Sequence, residues 1–205
     1  MIFHNVYDIL FSAWSNIAVL RVLQHHSNGI TGREIARLAG ISHRTSQNAL
    51  AILEGIGVVA RRRGGRDHLF LLNRNHAMVK TILLRLLQYE KDFSADAFAS
   101  LGEAFSHSAV SVILFGSVAR REETVESDCD LCLVVKSAAM KTKTEESIRV
   151  VSSEFRQRYG ANLAPFVIDQ KDFAARARKK LPPVSSILKE GIVLHGKSLK
   201  ELVRG

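Results

Sequence analysis

Cysteine is scarce in this chain: Cys129 and Cys132 are the two present among 205 residues. That excludes a disulfide-stapled secreted scaffold and suits a reducing compartment. Their Cys-x-x-Cys spacing invites a zinc reading, but a tetrahedral site needs two further ligands and none stand nearby in the sequence. The pair falls in an apolar, strand-like stretch, where an odd offset sends the two thiols to opposite faces. They read as small buried side chains. An uninterrupted apolar run of about 18 residues is also missing, so no membrane span is expected. The first residues lack a basic region followed by an apolar core and a cleavage site. The protein therefore reads as cytoplasmic, with no membrane partner. No internal repeat or low-complexity tract is visible. Lysine is absent from residues 1–75, whose strongly basic side chains are all arginine.

The residues present point to packed cores and an anionic partner. Apolar residues make up 46% of the chain, and 29 basic against 20 acidic side chains leave a net charge of +9. A surplus carried by arginine in the first 75 residues favours bidentate contacts to phosphates and base edges.

Val6 to His25 has helical spacing of apolar residues, with Ile9, Leu10, Trp14, Ile17, Leu20 and Leu23 on one broad face. Asn28-Gly29 stops it. Thr31-Gly32-Arg33-Glu34 has capping-box form and opens a short helix, with Ile35, Ala36 and Leu38 as its inward stripe and Gly40 at its end. Ser42 can cap a third helix, which begins His43-Arg44-Thr45-Ser46-Gln47-Asn48 and turns apolar from Ala49 onward. Val58–Arg63, Gly64-Gly65 and 66–72 read as a hairpin around a Gly-Gly link. This order of elements, over about residues 8–73, resembles a winged helix-turn-helix domain. The resemblance implies double-stranded DNA as partner, with the helix from Ser42 in the major groove and the hairpin as the wing. The DNA-contacting candidates are Arg44, Gln47 and Asn48 on that helix and Arg61, Arg62, Arg63 and Arg66 at the wing. Arginines crowded around one turn repel one another unless an anion is present.

Residues 76–107 read as a helical connector. Met78, Ile82, Leu83, Leu86 and Leu87 form one stripe, and Phe98, Leu101 and Phe105 another. The first stripe suits core packing or the seam of a homodimer, the usual arrangement for a protein reading two half-sites.

The most informative segment follows. Ala109 to Phe115 is an apolar run that reads as a buried strand ending at Gly116. Gly116 allows close approach of backbone to a ligand, Ser117 can cap the next short helix, and free N–H groups there suit a phosphate. Ser127-Asp128-Cys129-Asp130 leads a second apolar strand. A spacing of two puts the Asp128 and Asp130 carboxylates on one face, where they repel unless a cation sits between them. Oxygen-only ligands facing a triphosphate suit Mg²⁺. At Gly116-Ser117, Ala119-Arg120, Ser127 and Asp128-x-Asp130 the chain resembles the DNA polymerase β-like nucleotidyltransferases, the minimal forms in particular. The resemblance covers about residues 108–202. It implies Asp128 and Asp130 as catalytic metal ligands, Gly116, Ser117 and Arg120 as nucleotide-binding residues, and NTP with Mg²⁺ as ligand. In that family two metal ions about 3.5–4 Å apart clamp the attacking and leaving oxygens.

The chain departs from the family's pattern at one point. Members active in transfer carry a third carboxylate on a later strand, which here reads Asn162-Leu163-Ala164-Pro165-Phe166-Val167-Ile168. Asp169 lies just past its end and either swings into the site or caps the turn near Lys171. The helix before this strand runs from Thr142 to Tyr159, and Ile192 to His195 reads as a last short strand.

The expected fold class is α+β: a winged helix-turn-helix at 1–75, a helical connector at 76–107, and a nucleotidyltransferase-type mixed sheet with flanking helices at 108–205. The sequence then favours a DNA-binding transcriptional regulator whose second domain binds Mg-NTP, the missing third acid arguing against catalysis. The alternative is an active nucleotidyltransferase that moves NMP to a protein or small-molecule acceptor, as minimal nucleotidyltransferase antitoxins do.

Overall fold

In a computed structural model, which describes residues 4–65 and 67–204, the chain divides into two compact units, one ending at Asp92 and the next beginning at Phe93. The division falls within the helical stretch 76–107.

The first unit opens with α1 (Val6–Leu10) and α2 (Trp14–Leu23). The long helix expected over Val6–His25 is broken at residues 11–13. The break is held by polar side chains: Ser12 Oγ donates to the Ile9 carbonyl, and Asn16 Nδ2 donates to the carbonyls of Ile9 and Leu10. These bonds satisfy the orphan carbonyls at the end of α1. β1 (Ile30–Thr31), α3 (Gly32–Ala39) and α4 (His43–Gly55) follow. Thr31 Oγ1 accepts from Glu34 N–H at 3.2 Å, and Ser42 Oγ from Thr45 N–H at 3.1 Å, so both expected caps form. Gly40 ends α3 at φ +65°. Leu38 does not join the inward stripe; it is exposed, while Ile35 and Ala36 are buried.

β2 (Val59–Gly64) and β3 (Asp67–Leu72) are antiparallel and, with β1, form a sheet of order β1-β3-β2. Gly64 pairs with Asp67, so Gly64 belongs to the strand and not to the link, unlike in a Gly64-Gly65 turn. A core of Leu20, Leu23, Ile35, Leu50, Leu53, Val58 and Phe70 joins helices to sheet. A π-helical turn (Val79–Leu83) then enters α5 (Leu84–Ala104). The wide turn rotates the helix face. Val79, Leu83 and Leu87 pack inward, whereas Ile82 and Leu86 of the expected stripe turn out, 39% and 42% exposed.

The second unit is a four-stranded sheet of order β6-β5-β4-β7, from β4 (Ser111–Phe115), β5 (Cys129–Val135), β6 (Leu163–Asp169) and β7 (Ile192–Gly196). β4 runs antiparallel to both β5 and β7. β5 and β6 are parallel, joined by a crossover through α7 (Ala138–Tyr159). The apolar runs of β4 and β5 follow from burial on both faces. Val112, Leu114, Cys129, Leu131 and Leu133 join one core with Leu101, Phe105 and Phe155. Ile113, Cys132 and Val134 join another with Phe173 of α8 (Gln170–Arg178), Ile187 of α9 (Val184–Glu190) and Leu202 of α10 (Leu199–Arg204). The two cysteines thus lie on opposite faces, free and buried, and burial pushes their thiols up to about 11 for Cys129 and about 12 for Cys132.

β6 continues through Pro165. Cys129 N–H donates to the Asn162 carbonyl, and bonding direction alternates along a strand, so Pro165 faces away from β5 and removes no ladder bond. Among the described residues, no helix is long and apolar enough to cross a membrane.

Candidate functional site

In the second unit the two motifs meet at the end of the central strand pair. Phe115 pairs with Asp130 across the β4–β5 ladder, so Gly116 lies beside the start of β5. Gly116 has φ +73°, and α6 (Gly116–Arg120) begins there. A methyl group on Gly116 would lie 2.9 Å from Asp130 Cγ and closer still to Oδ2. Glycine is required here twice over, by backbone conformation and by the carboxylate seated against its Cα.

Ser117 does not cap α6. The N-cap position is Phe115, with no side-chain cap, and Ser117 lies within the first turn. Its carbonyl accepts from Glu122 N–H at 2.9 Å, and Arg121 turns left-handed at φ +59°. The chain then crosses to β5 through a tight turn, in which Thr124 N–H donates to Ser127 Oγ at 2.9 Å. Ser127 thereby fixes the approach to Asp128.

Asp130 is partly buried and Asp128 exposed. Burial, then the charge of Asp128, pushes the Asp130 carboxyl above its ordinary range; Arg120 opposes this and Glu190 adds to it. The Asp130 carboxylate, its charge disfavoured and with Asp128 close by, is suited to a hard cation, which takes oxygen ligands. Among the described residues no group of three or more acidic, histidine or cysteine side chains is arranged to hold a metal. The register explains why: Asp130 pairs with Ala164 on β6, so the neighbour on its sheet face is a methyl group. Asp169 pairs with Val135 at the far end of the strand, where its Oδ1 accepts from Asp172 N–H at 2.9 Å and caps α8.

Arg120 is held by two carboxylates: Nε reaches Glu122 at 2.7 Å and Nη1 reaches Glu190 at 2.8 Å. Glu190 carries no motif signal. It stands at the end of α9, and only the fold brings it here.

In the first unit, Arg44, Gln47 and Asn48 are exposed and, at i, i+3 and i+4, share one face of α4. Ser46 is buried and donates to the Gly32 carbonyl at 3.2 Å, which seats α4 against the start of α3. A groove beside this face is lined by Arg33, His43, Gln47, Arg61 and His68, among others. Arg33, His43 and His68 were not expected there; they lie far apart in sequence and are gathered by the packing of α3, α4 and β3. The wing arginines are not gathered on one surface. Strand alternation puts Arg61 and Arg63 on one side of β2 and Arg62 on the other, and Arg61 Nε pairs with Glu54 at 3.1 Å. Arg66 lies outside the described residues.

Comparison with known proteins bears on the second unit most. Residues 67–168 match a family described as "Putative nucleotidyltransferase DUF294". Over 76 residues, 37% of this chain, the sequence is 30% identical to a "Putative protein adenylyltransferase" of Methanocaldococcus jannaschii. The match spans 52% of that protein, about half its length. No solved structure matches the chain. The matched segment contains Gly116, Ser117, Arg120, Asp128 and Asp130, and this part of the chain is nucleotidyltransferase-like.

Proposed function

We propose that the chain binds an NTP with Mg²⁺ at the corner formed by Gly116 and Asp130 and transfers its nucleoside monophosphate to a protein acceptor. The observation that carries this reading is the Asp130 carboxylate seated against the left-handed Gly116, with Asp128 two residues before it. Asp128 and Asp130 would hold the metal, which when bound supplies charge neutralisation between carboxylates and triphosphate. Gly116 N–H, the Ser117 hydroxyl and Arg120 bind and orient the phosphates. Asp130 keeps its direction because the Gly116 backbone packs on it. In transfer, an acceptor hydroxyl bonds to the α-phosphorus, the bond to pyrophosphate breaks and pyrophosphate departs, and the hydroxyl proton passes to solvent water. On β6 the position facing Asp130 is Ala164, so no carboxylate there takes that proton, and transfer is expected to be slow. The likeness to a protein named as an adenylyltransferase supports ATP as donor and a protein as acceptor.

The test is incubation with α-labelled ATP, Mg²⁺ and candidate acceptor proteins. Label should enter protein only with divalent metal and should vanish when Asp128→Asn and Asp130→Asn are combined. Absence of labelling with each of the four NTPs would defeat the transfer reading.

A second reading concerns the first unit. The exposed Arg44, Gln47 and Asn48 face beside the Arg33- and Arg61-lined groove supports a winged helix-turn-helix that binds duplex DNA, and with it a role in transcription regulation. Replacing Arg61, Arg62 and Arg63 by alanine should weaken binding across sequences and flatten its salt dependence. Unchanged affinity of that triple variant in a gel-shift titration would remove the wing from the interface.

A further inference from the structure

One carboxylate oxygen of the second unit is held from two sides. Glu190 Oε1 accepts from the Gly116 backbone N–H at 3.3 Å and from Arg120 Nη1 at 2.8 Å. These are the groups that the nucleotide reading assigns to a phosphate oxygen. The contact joins residues 74 positions apart and is built in by packing. A methyl group on Gly191 would strike the Ile187 carbonyl and lie 2.9 Å from Ile113 Cγ2, so α9 ends hard against β4. Ile192 then pairs with Leu114, which leaves Glu190 at the end of β4 where Gly116 begins. The Glu190 side chain is 22% exposed, less than the 41% of Arg120. Glu190 also lies outside the matched residues 67–168.

We propose that Glu190 is an internal competitor for the triphosphate: a carboxylate that occupies the anion position of the Gly116 turn and must leave before a phosphate can take Gly116 N–H and Arg120. The proposal rests on the nucleotide reading of this site. Its chemistry is an exchange of one anion for another. Arg120 stays tethered through Nε to Glu122 while Nη1 changes partner, so the guanidinium is not released into solvent. A carboxylate carries one negative charge, and a ligand with several charges held close together displaces it best. The site should therefore favour triphosphates over monophosphates more steeply than an open turn would. Displacement of Glu190 also moves one negative charge away from Asp130, whose own charge Glu190 disfavours.

The test is calorimetric titration of the full chain with Mg-ATP and, separately, with inorganic tripolyphosphate. Glu190→Gln keeps the shape and removes the charge. It should tighten both ligands by roughly three- to tenfold, the scale of one partly exposed charge-assisted hydrogen bond. Glu190→Ala should do the same, which guards against an effect peculiar to the amide. Glu122→Gln is the control, because Glu122 touches Arg120 but not Gly116; an equal gain there would reduce the effect to bulk charge and overturn the proposal. Unchanged or weaker binding in both Glu190 variants, with the wild type binding in a metal-dependent way, would overturn the competitor alone. No binding by wild type or by either variant would overturn the competitor together with the nucleotide reading. Thermal unfolding of each variant confirms that a folded protein was titrated.

Discussion

Replacing Gly116 by alanine tests the corner of the candidate site directly. Two costs are expected, and they have different origins. The first is conformational: a residue with a Cβ at φ +73° sits in the left-handed region, at about 1–2 kcal/mol. The second is steric. The new methyl would meet Oδ2 and lie 2.9 Å from Cγ and 3.2 Å from Cβ of Asp130, so the whole side chain must give way, and turning the carboxylate alone does not relieve it. An added cost of about 1 kcal/mol or more is reasonable for forcing a partly buried side chain from its rotamer. A double-mutant cycle with Asp130→Ala separates the two. In the wild-type background Gly116→Ala should lower unfolding stability by about 2–4 kcal/mol; in the Asp130→Ala background the steric part is gone and about 1–2 kcal/mol remain. Urea denaturation followed by circular dichroism measures all four corners. Equal costs in both backgrounds would refute the claim that Asp130 leans on Gly116, and with it the account of how the carboxylate is aimed.

Two further outcomes follow from the same corner. Ala164→Asp should place an acid beside Asp130 and, in the labelling assay, raise Mg²⁺-dependent transfer at least tenfold; unchanged transfer would show that the missing proton acceptor is not what limits the reaction. Asp130→Asn should raise the melting temperature of the metal-free protein at pH 7. The Asp130 carboxyl lies above its ordinary range in the folded state, so its protonation favours folding: that stabilisation is full below the unfolded-state value and lost as pH rises through the folded one. The advantage of the amide should therefore be largest at neutral pH and fade in acid, and an advantage that grows in acid would contradict it.

The features legible in the sequence are those set by short-range rules. The runs in β4 and β5 stand out because both faces of each strand are buried, and the opposite faces of Cys129 and Cys132 follow from pleating alone. Thr31 and Ser42 cap their helices as their spacing implies, because a cap depends on four consecutive residues. Features that depend on rotation or on distance were not legible. The wide turn at Val79–Leu83 inserts an offset that no 3.6-residue pattern carries, so Ile82 and Leu86 face out while Leu83 and Leu87 face in. The end of β2 is fixed by the pairing of Gly64 with Asp67, which two adjacent glycines leave ambiguous. Ser117 resembles a cap in sequence, yet Phe115 holds that position because the helix starts at Gly116 itself. Glu190 had no signal at all, since its partners are chosen by where α9 ends.

Pro165 carries a consequence for association. β6 is the outermost strand on its side of the sheet, and an outer strand with every donor in place is a template onto which another extended chain can zip. With no N–H at its middle, facing outward, β6 presents a broken template. Cross-chain sheet extension is discouraged along that border without any cost to the ladder with β5, whose donors and acceptors all lie on the other side of the strand.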